Sequence, residues 1–137
     1  MMRKLWLLLA ALMLTGAAAH AQPAKLATDE VVRKEMTTIR DLTSNAYTLV
    51  THRRMPPADA RAYHGKVKAA VERIKADTEM SGEAREEIVK LAGYIERGAG
   101  AVAGSDPMEA MDGMLIVDDS LAIYAQRFDH PDWKPLR

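Results

Sequence analysis

The chain has 137 residues, with 19 basic and 19 acidic side chains and no cysteine. That composition excludes a disulfide framework, a thiolate metal site, covalent haem through C-x-x-C-H and a lipid-modified cysteine. It also provides no one-sided positive field and no base-stacking platform, so nucleic acid is not an expected partner.

Residues 1–21 read as a secretory signal peptide. Arg3 and Lys4 give a positive start, Leu5 to Leu14 form an apolar run, and Ala19-His20-Ala21 is a small-x-small site before Gln22. The run is short for a bilayer crossing and no stop-transfer segment follows, so the expectation is cleavage after Ala21, no membrane span afterwards, and a periplasmic or secreted product. That product, residues 22–137, is long enough for one domain and one core. Without Arg3 and Lys4 it carries 17 basic against 19 acidic residues, a formal charge of 17 − 19 = −2.

Four amphipathic segments follow in chain order. The first, about 28–51, repeats Val32, Met36, Ile39, Ala46 and Val50 at helical spacing, with Leu42 and Leu49 widening the stripe. Thr28 is its expected cap, and Met55-Pro56-Pro57 stops it. The second, about 57–78, begins with proline in its first turn and aligns Ala60, Tyr63, Val67, Ala70, Val71 and Ile74. Ser81-Gly82 marks the next turn, and the third segment, about 82–102, carries Ala84, Ile88, Leu91, Ile95 and Val102 inward. Gly98, Gly100 and Gly104 predict fraying at its end or a long connection. Asp106-Pro107-Met108-Glu109 opens the fourth, about 107–128, with Met108, Met111, Leu115, Ala122 and Ala125 as its expected stripe and Met114, Leu121 and Phe128 beside it. Pro131 and Pro135 keep the tail 129–137 non-helical, and Trp133 is expected to fold back onto the body. No strand alternation is evident, so the expected fold is all-α, an antiparallel four-helix bundle.

The chemistry-bearing residues are few. Methionine thioethers suit Cu(I), but Met108, Met111 and Met114 drift round their helix, and methionine is also an adaptable core filler. His52, Met55 and His64 flank the Pro-Pro turn and form an alternative metal cluster beside the simpler reading of surface histidines. Asp118 falls on the expected stripe of the fourth segment, where a carboxylate needs a partner or a place at the interface rim. No serine sits in a nucleophile motif, no glycine loop cradles phosphate and no Glu-x-x-His pair is present, so a non-enzymatic protein is expected.

An exported bundle of this size with Arg33-Lys34-Glu35-Met36 near the start of its first helix resembles the cytochrome c-prime and soluble periplasmic cytochrome b group. The resemblance implies a haem between the start of the first helix and the end of the fourth, where this chain has Tyr124-Ala125-Gln126-Arg127-Phe128 and, beyond, His130. Met36 and His130 are then the implied pair for non-covalent haem b. The leading functional expectation is a small accessory protein that contacts an unknown protein partner without a cofactor; the alternative is a copper or haem carrier.

Overall fold

The computed structural model describes residues 23–136; the signal peptide read at residues 1–21 lies outside them. Four long helices dominate the described residues: α1 (Glu30–Thr51), α2 (Pro57–Asp77), α3 (Gly82–Val102) and α4 (Pro107–Arg127). Each packs on the next and α4 returns to α1, which makes an antiparallel four-helix bundle, an architecture compatible with a helical-bundle cytochrome. The α3–α4 seam is the most extensive and the α1–α4 seam the sparsest. No helix among the described residues is long and apolar enough to cross a membrane.

The helix ends follow from local chemistry. Asp29, not Thr28, caps α1: one carboxylate oxygen accepts from the Val32 amide at 2.8 Å. Its other oxygen accepts from the Thr78 hydroxyl and the Glu79 amide, both at 2.7 Å, so the same side chain ties the start of α1 to the α2–α3 connection. Burial pushes the Asp29 carboxyl up, but these hydrogen bonds outweigh it and hold the group below its ordinary value. Thr28 instead donates to the Asp129 carbonyl at 2.6 Å. At the other end, the Arg53 amide bonds the Val50 carbonyl and the Arg54 amide the Leu49 carbonyl. This is a Schellman closure, with Arg53 in the left-handed position (φ 56°) that glycine usually takes. Asp106 caps α4 through the Met108 amide, with Pro107 in the first turn as expected.

The core is built from the predicted faces of α1 to α3, with Met36, Ile39, Val67, Ile74, Ile88 and Ile95 fully buried. Two polar groups sit among them in a closed pair, the Thr43 hydroxyl 2.9 Å from the Tyr63 phenol, and burial pushes that phenol up to about 12. Helix α4 departs from the expected stripe. Its buried face is Gly113, Met114, Val117, Ser120, Leu121 and Tyr124, whereas Met108, Leu115 and Ala122 are exposed. The helix is rotated so that what seemed to flank the stripe is the stripe; Ser120 is tolerated there because its hydroxyl bonds the Ile116 carbonyl at 2.7 Å. Asp118 accordingly lies half-buried at the edge of α4.

Two further expectations are corrected. Gly98 and Gly100 do not fray α3, which runs through to Val102, and Gly98 is buried where α3 meets α4. A strand pair also exists: β1 (Leu26–Ala27) lies parallel to β2 (Phe128–Asp129), with Leu26 opposite Phe128. This two-residue clasp ties the segment before α1 to the segment after α4.

Candidate functional site

The residues singled out from sequence are dispersed. Met36 is fully buried and packs as a core side chain. His130 lies beyond α4 in an aromatic group with Tyr124, Phe128 and Trp133. Its Nδ1 is hydrogen-bonded to the Tyr124 hydroxyl at 2.7 Å, and its Nε2 stands 3.5 Å from the Thr37 hydroxyl. Burial first, and then the Arg33 charge, lower the pKa of this imidazole below its ordinary 6.5. The groove that His130 lines measures about 200 Å³ and does not include Met36. The space is below the ~300 Å³ at which ligand pockets begin, so Met36 and His130 do not fit a haem.

The residues around the Pro-Pro turn also point apart. His52 is the exposed C-cap of α1, Met55 packs partly buried against the core, and His64 turns to α3, its Nε2 3.0 Å from Glu96 Oε1. A three-residue grouping of histidine and carboxylate suited to a metal is not found among the described residues.

The outer side of the α3–α4 seam has a different character. Tyr94 of α3 and Ile116 and Ile123 of α4 are large apolar side chains left 41, 42 and 47% exposed. A groove of about 350 Å³ runs between Tyr94 and Ile123 with Leu91 and Phe128 in its wall. Ile116 continues the strip, its Cγ2 lying against the Gly98 position. Charged groups rim it without interrupting it. Arg127 meets Glu87 in a two-pronged pair, Nε to Oε2 at 3.1 Å and Nη2 to Oε1 at 2.5 Å, and this pair holds the Glu87 carboxyl below its ordinary range. Arg97 stacks over the Tyr94 ring at 5.6 Å.

Its chemistry is that of a contact surface: an apolar centre, an aromatic anchor and a polar rim that includes the Arg127–Glu87 pair. No nucleophile and base are brought together in it. Sequence periodicity missed Ile116 and Ile123 because α4 is apolar on more than one side; their seven-residue spacing was the available signal. No protein-family model matches the chain, and no curated protein or solved structure matches it.

Proposed function

We propose that the chain is an exported, non-enzymatic helical module that acts by binding another protein through the outer face of α3 and α4. The observation that carries this reading is the strip of Tyr94, Ile116 and Ile123, exposed together over one seam and flanked by the Arg127–Glu87 pair and by Arg97 over the Tyr94 ring. Isolated exposed apolar residues are ordinary, but two large ones lining one groove, with a third beside it on the same seam, resemble the centre of an interface. The signal-peptide pattern of residues 1–21 supports export, which would place the partner outside the cytoplasm.

A photo-crosslinking side chain at Ile123, compared in the exporting cell with one at exposed Lys68 on α2, tests the reading. The expected result is a discrete adduct from position 123 that disappears with Ile116→Glu and has no counterpart from position 68. Identical adduct patterns from the two positions, or none from position 123, would overturn it.

A further inference from the structure

A second groove, at the end of the bundle where α1 meets α2 and α3 meets α4, has a composition that the protein-contact reading does not use. Its volume is about 390 Å³, and its wall is apolar, formed by Val50, Met55, Ala60, Val102 and Ala110 among others. The charged side chains in the lining are Arg53 and Arg61, and no aspartate or glutamate lines it. Neither guanidinium is in an ion pair among the described residues. Arg53 reaches from the end of α1 to the start of α4, where its Nη2 meets the Met108 sulfur at 3.4 Å, a weak and neutral acceptor.

The backbone at Arg53 adds an independent observation. The Schellman position at the end of α1 requires a left-handed residue and is best filled by glycine, yet this chain places an arginine there at φ 56°. A side chain held at a strained backbone position is a frequent mark of a ligand clamp.

We infer that this groove binds a medium-chain carboxylate amphiphile, its acyl chain along the apolar wall and its carboxylate on the Arg53 and Arg61 guanidiniums. The volume falls within the ~300–1,000 Å³ of small-molecule sites. Arginine presents a planar fork that matches a carboxylate, and two unpaired forks over an acid-free apolar groove select an anionic head over a neutral or cationic one. The inference stands apart from the α3–α4 contact surface, so either can fail alone.

Calorimetric titration of the protein with decanoate, decanol and decyltrimethylammonium tests it, with methyl NMR to locate binding. Decanoate should bind once per chain and shift the methyls of Val50 and Val102. Decanol should bind at least about tenfold more weakly, the scale of a lost charge-assisted hydrogen bond, and Arg61→Gln should weaken decanoate by a similar factor. Arg53→Gly is the sharper variant, because it removes the guanidinium while giving the turn its preferred residue. Its melting temperature should be unchanged or higher, and its decanoate affinity lost. Equal binding of decanol and decanoate, undiminished binding by Arg53→Gly, or methyl shifts at Ile116 and Ile123 in place of Val50 and Val102 would overturn the assignment.

Discussion

Gly98 of α3 and Gly113 of α4 meet backbone to backbone: a β-carbon on Gly98 would stand 2.7 Å from the Gly113 carbonyl oxygen, and one on Gly113 would overlap the Gly98 carbonyl. The seam beneath the exposed strip thus has no room for a β-carbon at either position. Alanine at either position forces the backbones apart, and overpacking of this kind costs about 1–3 kcal/mol. Alanine also gains ~0.8–1.0 kcal/mol over glycine in a helix interior, but the clash is with backbone, which cannot swing aside, so the net effect is loss. Urea unfolding should show Gly98→Ala and Gly113→Ala destabilised. Gly93→Ala, where an added β-carbon meets nothing within 4 Å, should be stabilised by about 0.5–1 kcal/mol.

The α1–α2 seam holds an asymmetric ion pair. Glu35 is 4% exposed, while the Arg73 side chain that binds it through Nε at 2.8 Å and Nη2 at 3.0 Å is about half exposed. Removing the arginine strands a buried carboxylate, whereas neutralising the carboxylate leaves a cation free to turn to water. Arg73→Met should therefore lower the melting temperature more than Glu35→Gln. The reverse order would mean that the pair is governed by packing around Glu35 and not by charge.

Acid sensitivity should include contributions of the same sign from His130 and Asp29. The folded-state pKa of His130 lies below 6.5, so the unfolded chain takes up the proton first as pH falls. The stability it contributes is complete above pH 6.5 and is lost as pH drops from there through the lowered folded value. Arg33 opposes the added charge and Asp132 favours it, and the direction follows burial and Arg33. Asp29 repeats the pattern lower, its stability present above pH 3.8 and lost beneath it. Chemical unfolding across pH 4.5 to 7 should show a slope that His130→Asn flattens; an unchanged slope in that variant would assign it to another group.

The bundle was legible from sequence where information is local. Pro57, Ser81-Gly82 and Asp106-Pro107 punctuate the helices, and the stripes of α1 to α3 repeat with the helical period. Helix α4 misled because Met108, Leu115 and Ala122 form an apolar line as regular as Met114, Val117, Leu121 and Tyr124, and periodicity cannot say which line faces the core. Gly98 looked like a helix breaker because propensity is local, whereas its role is a close approach to a residue on the next helix. The β1–β2 clasp joins segments about a hundred residues apart and only two residues long, which leaves no alternation to read. The exposed strip escaped for the α4 reason, since its isoleucines belong to neither line.

The tail is held by its backbone as much as by its indole. Pro131 and Asp132 form a turn, with Asp132 at φ 63° and the Trp133 amide bonded to the His130 carbonyl at 3.2 Å. The turn brings the Trp133 ring edge-on to Tyr124 at 4.8 Å. Arg40 of α1 then clamps the next residues, donating to the Lys134 carbonyl at 3.1 Å and the Pro135 carbonyl at 2.8 Å. Trp133 is only partly buried, so its removal should cost less than a full core side chain, about 1–2 kcal/mol. In the chain beginning at Gln22 it is the sole tryptophan, and its emission should be blue-shifted when folded and move red on unfolding. Arg40→Ala should leave the bundle's melting temperature nearly unchanged while making the tail after His130 cleavable by protease. Trp133→Ala should do both: lower the melting temperature and expose the tail. Fully solvated native emission together with a protease-sensitive tail in the unmodified protein would mean that the strap is open in solution, and the Arg40 carbonyl contacts would then hold no weight.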